Sequence, residues 1–435
     1  MSPAAIAALI LLIGVIILIL LSAPIAVAIG LPSLLAAMAV LGPENAVQAV
    51  AQRMFTGANS FSLLAIPFFV LAGVLMNSGG IATRLIDAAK VLTGRLPASM
   101  AQTNVVANAM FGAVSGAAVA AASAVGTVMT PRMKEDGYSR PYAAAVNVAS
   151  APAGMLIPPS NTFIVYSLVS STSIAALFMA GVGPGLLWVI AALIVAVILA
   201  RKENYRRETV RPTFKEGAIV IWRAVPSLLM IVIVVGGILA GYFTATESAA
   251  IAVVYCLVLG FIYKNLRVKD LPSILLTATR TTAIVMILVA VSSALSWVMS
   301  FAHIPQLIAD ALLGISTNEA VILMIMMAIL LVIGTFMDPT PAILIFVPIF
   351  LPVVLELGIH PVHFGTMVVM NLSMGVITPP VGNVLFVGSQ VAGLRIERVI
   401  GRLWPFLIGI LIALIIVVFV PQISLWLPTV LGLLG

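Results

Sequence analysis

LIPPSNTFIVY at residues 156–166 and GVITPPVGNVLF at residues 375–386 each set a double proline inside an otherwise apolar run. Proline removes a backbone N–H and glycine permits unusual dihedrals, so a helix entering either stretch must unwind. The pairs Pro158-Pro159 and Pro379-Pro380 lie 221 residues apart, and other landmarks keep the same register. Pro131 and Pro352 are separated by 221, Gly112 and Gly334 by 222, and Leu85-Ile86 and Leu307-Ile308 by 222. Each match is weak, but their collinearity indicates one unit of roughly 200 residues present twice.

The sequence around these breaks belongs in a bilayer. The chain has 435 residues, of which 62% are hydrophobic and only 8% charged, against about 25% charged in a soluble domain. A water-soluble fold could not cover that much apolar surface. Runs at 4–22, 181–200, 224–242 and 403–425 are apolar on all sides and near the length that crosses a hydrocarbon core. The alternation of a β-barrel is missing. The first 22 residues lack a basic leading segment and an A-x-A cleavage pattern, so they read as a first span. Cys256 is the single cysteine, which excludes an internal disulfide and favours simple packing.

Charge sets the orientation of the two units. Segment 79–96 carries Arg84, Lys90 and Arg95, and 131–141 carries Arg132, Lys134 and Arg140; their partners 301–318 and 353–362 have no Lys or Arg. The bias then reverses, because 170–180 has none while 391–402 holds Arg395, Arg398 and Arg402. Positive loops face the cytoplasm, so the halves enter the membrane from opposite sides, as in inverted-repeat transporters. The linker 201–223, with Arg201, Lys202, Arg206, Arg207, Arg211, Lys215 and Arg223, and the loop with Lys264, Arg267 and Lys269 are expected in the cytoplasm.

Since 79–96 and 131–141 share a side, the stretch 97–130 must enter and leave on it. It is expected to form a re-entrant hairpin with legs of about 15 residues and a tip near GAVSGA, 112–117. Its counterpart runs from 319 to 352 with a tip at GTFMDPTP, 334–341. The expected fold is an all-α polytopic membrane protein. It has two inverted-topology repeats, about ten transmembrane spans, two re-entrant hairpins and interfacial arm helices at 79–96 and 303–317, with both termini outside.

Irregular backbone at membrane depth survives only where protein buries it or a cavity solvates it. The tips and the breaks are therefore the candidate chemistry. Freed carbonyls can ligate Na⁺, and the N-termini of half-helices attract anions. Ser160, Asn161 and Thr162 stand at the start of a new half-helix, where they can cap it or bind a carboxylate. Asp338 is the acid in the deep part of the hairpins, and an intramembrane carboxylate suggests function. Thr244-x-x-Glu247 has capping-box spacing, which favours a structural role. His303, His360 and His363 fall in expected outer loops or interfaces.

No enzyme is expected. Ser115 sits in G-A-V-S-G without a facing histidine within the spans, and HExxH, a paired-aspartate motif and a Walker A sequence are all missing. Two opposed hairpins also occur in aquaporin-type channels, but the Asn-Pro-Ala signature of such tips is not present.

The stretches LLAIPFFVLAGVLMNSGGI (63–81), FGAVSGAAVAAASAVGTVMTPRM (111–133), LIPPSNTFIVY (156–166), FTATESAAIAVVY (243–255), MDPTPAILIFVPIFLP (337–352) and GVITPPVGNVLF (375–386) together resemble the large membrane subunit of the tripartite ATP-independent periplasmic (TRAP) transporters. The resemblance covers essentially the whole chain. At the first tip the family often has Gly-Ser-Ala where this chain has Gly116-Ala117-Ala118. The fold is also similar to that of the divalent anion/sodium symporters. Ser160-Asn161-Thr162 matches their Ser-Asn-Thr signature, and Val381-Gly382-Asn383 departs from it. A stand-alone symporter is accordingly the alternative reading.

The TRAP resemblance implies a multi-pass protein of a bacterial inner membrane, paired with a small four-helix membrane subunit. It implies a periplasmic binding protein delivering an organic acid, of the sialic acid or C4-dicarboxylate class. Na⁺ is the implied coupling ion, no other cofactor is expected, and the implied motion is an elevator. Together with the tips and breaks, the resemblance implies a first Na⁺ site at Ser115, Ala117, Gly154, Leu156 and Pro159. A second follows at Thr335, Met337, Asp338, Gly375, Ile377 and Thr378, with Ser160, Asn161, Thr162, Asp338 and Asn383 facing the substrate. The moving domain would comprise 97–175 and 319–393. The scaffold would comprise 1–78, 176–302 and 394–435, joined to the mover by arms at 79–96 and 303–318.

Overall fold

The computed structural model describes residues 3–21, 23–94, 96–203, 205, 214–316 and 318–434. Among these residues the secondary structure is entirely helical. Arg95, Arg206, Arg207 and Arg211 of the expected cytoplasmic charge lie outside the described residues.

Among the described residues, seven helices are long and apolar enough to cross a membrane: Ile174–Lys202, Lys215–Leu239, Ala245–Ile262, Val268–Phe301, Glu319–Phe336, Pro339–Glu356 and Ile396–Phe419. An eighth arises if Ala65–Ser78 and the helix after it count as one span, although the chain turns by 75° between them. That turn sets the first arm, Ile81–Thr93, away from the span before it. The second arm is Ile304–Ile315.

Both hairpins form. The first has legs Ser99–Ser115 and Ala118–Glu135, and the second has legs Glu319–Phe336 and Pro339–Glu356. Each leg is two or three residues longer than the expected 15. Each hairpin is followed by the same sequence of elements. A helix (Arg140–Ser150 or Pro361–Gly375) leads to a break. A short half-helix (Asn161–Ser170 or Asn383–Val391) and a long helix (Ile174–Lys202 or Ile396–Phe419) then follow.

Small residues let these helices approach closely. A Cβ on Gly112, in the first leg, would lie 2.6 Å from the Cα of Gly154 at the first break. A Cβ on Gly375, at the second break, would lie 2.5 Å from the Cα of Gly334 in the second hairpin. The same glycine-on-glycine contact thus holds each hairpin to its own broken helix. Each half-helix then crosses to the other unit: Asn161–Ser170 lies against Pro339–Glu356, and Asn383–Val391 against Ala118–Glu135.

Packing corrects the expected division of the chain. Helix Ile174–Lys202, assigned above to the scaffold 176–302, belongs with the first broken helix. Trp188 Nε1 donates to Ala149 O at 2.9 Å, Tyr142 OH donates to Ala196 O at 2.7 Å, and Gly181 rests on the Leu156 carbonyl. The segment 394–435 likewise packs on the second broken helix, where Thr366 Oγ1 meets Ser424 Oγ at 2.8 Å. Two packing groups result. One holds the hairpins, broken helices and helices 174–202 and 396–430. The other holds helices Pro3–Leu20, Ile25–Leu41, Pro43–Ala58, Ala65–Ser78, Phe214–Leu239, Ala245–Ile262 and Leu271–Phe301.

The first arm touches both groups. Arg84 stacks on the Tyr263 ring of one, and Asp87 pairs with Arg132 of the other at 3.2 Å. Glu247 forms the expected capping box with Thr244. Cys256 is buried beside the Met230 sulfur, 3.8 Å away. His363 departs from expectation. It is buried on Pro361–Gly375, 3.4 Å from the Val418 carbonyl, because its helix is wrapped by Ile396–Phe419.

Candidate functional site

The first tip is two residues, Gly116 and Ala117. Gly116 takes φ +62°, the left-handed region that glycine enters without penalty, and its N–H closes on Gly112 O at 2.7 Å. Ala117 is extended, and the second leg restarts at Ala118. The second tip is Met337 and Asp338, both extended, with the second leg restarting at Pro339.

At each tip, one residue faces the asparagine that begins the half-helix. Asn161 Nδ2 would lie 3.1 Å from a Cβ on Gly116. Asn383 Nδ2 donates to Asp338 Oδ1 at 2.9 Å. Gly116 and Asp338 are 222 residues apart, as are Asn161 and Asn383. The structural partner of Asn161 is thus Asn383, one position off the match of Ser160-Asn161-Thr162 with Val381-Gly382-Asn383. Between the double proline and the half-helix the second break holds one extra residue, and Gly382, with φ +49°, takes the place before the half-helix that Ser160 holds in the first.

The two breaks handle their carbonyls differently from a helix. In the first, Met155 O accepts from Ser160 Oγ and, at 3.1 Å, from Thr162 Oγ1, and Ala153 O accepts the N–H groups of Leu156 and Ile157. Among the described residues the carbonyls of Ser115, Gly154, Leu156 and Pro159 accept no hydrogen bond. Ala117 O accepts from Ala121 N at 3.1 Å. In the second break, Gly382 N donates to Thr335 O at 3.0 Å, Thr378 N to Gly375 O at 2.9 Å, and Thr378 Oγ1 to Met374 O at 2.8 Å. The carbonyls of Met337, Ile377 and Thr378 accept none among the described residues. Buried carbonyls are nearly always paired. Those without donors at two related places are free to ligate a hard cation.

The expected substrate residues divide. Ser160 and Thr162 are buried, with their hydroxyls 2.7 Å apart and both directed at Met155 O, so they hold the break. Asn161 and Asn383 are half-buried at the tips, and Asp338 is exposed. The Asp338 side chain does not cap its own helix; it accepts from Asn383 instead.

Sequence reading missed the asparagines that brace the hairpins. Asn108 Nδ2 lies 2.7 Å from Asn104 Oδ1, 3.0 Å from Asn147 Oδ1 and 2.9 Å from Ser150 Oγ, and Asn147 Nδ2 donates to Ala122 O at 2.8 Å. In the second unit Asn371 Nδ2 donates to Met327 O at 2.8 Å. The available signal was a polar amide in helices otherwise built of small and apolar residues, where a buried amide must find partners.

Residues 12–423 match the family described as "Tripartite ATP-independent periplasmic transporter, DctM component". The chain is 49% identical over 407 residues to the Salmonella typhimurium protein called "Uncharacterized protein YgiK", covering 93% of each. It is 38% identical over 395 residues to the C4-dicarboxylate TRAP transporter large permease protein DctM of Pseudomonas aeruginosa, covering 91% of this chain and 92% of that one. Its fold is similar to the crystal structure of the Alcanivorax borkumensis YdaH transporter, with a TM-score of 0.65, 15% identity and 89% of both chains covered. The chain belongs to the DctM family, the large membrane subunits of TRAP transporters, and is a transporter subunit rather than an enzyme.

Proposed function

We propose that this chain is the sodium-coupled permease of a TRAP transporter in a bacterial inner membrane. In this reading it imports an organic acid of the sialic acid or C4-dicarboxylate class. A periplasmic binding protein delivers the acid, and a small four-helix subunit braces the scaffold. The observation that carries this reading is the paired set of donor-free carbonyls at the tips and breaks. Ser115, Gly154, Leu156 and Pro159 hold one Na⁺; Met337, Ile377 and Thr378 hold the other, with Thr335 and Gly375 at its edge. Asn161, Asn383 and Asp338 meet the substrate at the tips, where four helix N-termini favour an anion. In proteoliposomes containing both membrane subunits and the binding protein, uptake should require an inward Na⁺ gradient. Equal uptake with K⁺ in place of Na⁺, without a proton gradient, would sink the sodium assignment.

The moving body in this reading is the packing group of hairpins, broken helices and helices 174–202 and 396–430. The inverted repeat expected from the charge bias would supply its two states. Double electron–electron resonance distances should stay constant between the hairpins and helix Ile174–Lys202. Between the hairpins and helix Leu271–Phe301 they should shift by one or two helical turns, each about 5.4 Å. Unchanged hairpin–scaffold distances through turnover would rule out an elevator.

A further inference from the structure

A cavity of about 420 Å³ lies between the two packing groups. Helices Pro43–Ala58 and Leu271–Phe301 form one wall, and Leu168 of the first half-helix and Leu344 of the second hairpin form the other. Its polar lining is Arg53, Thr56 and four serines, Ser292, Ser293, Ser296 and Ser300. Ser292, Ser296 and Ser300 repeat every four residues and so share one helix face.

The serines are unusual in what they do not do. Lower on the same helix, Ser273, Thr277 and Thr281 return their hydroxyls to Asp270 O, Ser273 O and Thr277 O at 2.8, 2.8 and 3.1 Å. Among the described residues the hydroxyls of the four cavity serines make no hydrogen bond; Ser292 is buried, Ser293 and Ser296 are half-buried and Ser300 is exposed. Ser292 is 2% exposed with its Oγ unpartnered, a costly arrangement unless a ligand or solvent in the cavity meets it. Gly57 keeps the two helices close, since a Cβ there would run into Ser293 Oγ.

Arg53 lines the cavity and is exposed. Its guanidinium stacks over the Trp297 ring at 5.3 Å, and among the described residues no carboxylate pairs with it. A guanidinium held over a ring by cation–π attraction retains N–H donors for a bidentate anion. The volume lies in the range of small-molecule sites, about 300–1,000 Å³.

We propose that this cavity binds a small organic anion on the scaffold side, Arg53 taking a carboxylate or sulfonate and the serines taking its hydroxyl or second acid group. The inference rests on the transport reading above, and places a contact for the substrate on the wall opposite the moving body. Anionic lipid headgroups offer the same charge chemistry, so the test separates the two sources.

The full complex carries Cys256→Ser and Ser296→Cys in nanodiscs, and N-ethylmaleimide modification is timed. Succinate, N-acetylneuraminate or ethanesulfonate is added, each against potassium chloride at matched ionic strength. At least one acid should slow modification about fivefold or more. Arg53→Gln should weaken that protection about tenfold in concentration, and Arg53→Lys should retain part of it. Ser300→Cys serves as a second reporter if Ser296→Cys does not fold. No protection by any of the three acids, or protection that survives Arg53→Gln, overturns the proposal. Protection that follows phosphatidylglycerol content instead of added acid overturns it in favour of a lipid. Na⁺-driven uptake is measured alongside. Uptake without protection removes the cavity site and leaves the transport reading, and protection without Na⁺-driven uptake does the reverse.

Discussion

Gly112→Ala should lower the thermal stability of the complex and abolish transport, and Gly375→Ala should do the same from the other unit. In each case the new methyl meets backbone, not a side chain that could change rotamer. It would stand 2.6 Å from Gly154 Cα in the first unit and 2.5 Å from Gly334 Cα in the second. The hairpin must then separate from the broken helix. Overpacking of this kind costs about 1–3 kcal/mol or more. The displacement falls on the tip-to-break distance that sets the proposed Na⁺ carbonyls, so Na⁺-dependent stabilisation should vanish even in protein that still folds. Gly401→Ala is the control. Gly401 sits inside Ile396–Phe419 with no atom within 4 Å of its Cβ position, and alanine there should gain about 1 kcal/mol of helix propensity. Melting midpoints of purified complexes, with and without Na⁺, check both. A Gly112→Ala protein that melts and transports like wild type would show that the glycine contact does not hold the hairpin.

Asp338→Asn should leave the fold intact and cut transport at low Na⁺ severely. An asparagine Oδ1 can still accept from Asn383 Nδ2, so the bridge between the second tip and its half-helix survives while the charge is lost. The Asp338 carboxylate is not spent on its own helix, which leaves it available to a cation or to the polar end of a substrate. Removing a unit charge next in sequence to Met337 of the proposed second Na⁺ site, in an exposed setting, should weaken apparent Na⁺ affinity by at least about fivefold. The variant should recover part of its rate at high Na⁺. An unchanged rate with unchanged Na⁺ dependence would exclude Asp338 from the ion and substrate sites.

The local features were legible because they follow from neighbouring residues. Composition placed the chain in a membrane. Double prolines marked the breaks, glycine and Met337-Asp338 marked the tips, and Thr244-x-x-Glu247 marked a helix start. Each depends on a missing N–H, an accessible dihedral or a cap within three residues, and the fold cannot remove such constraints.

Facts about which faces meet were not legible. Ser160 and Thr162 looked ready for substrate until the three-dimensional arrangement turned both onto Met155 O. The insertion that pairs Asn161 with Asn383 appears only when the half-helices are seen to start there. Helices 174–202 and 396–430 fell in the scaffold of the division that the repeat and the resemblance implied. Trp188, Tyr142 and Thr366 tie them to the broken helices across gaps of 39, 54 and 58 residues. A lipid-facing side and a partner-facing side have the same apolar composition, because in a bilayer both environments are nonpolar. Only the packed helices show which side is which.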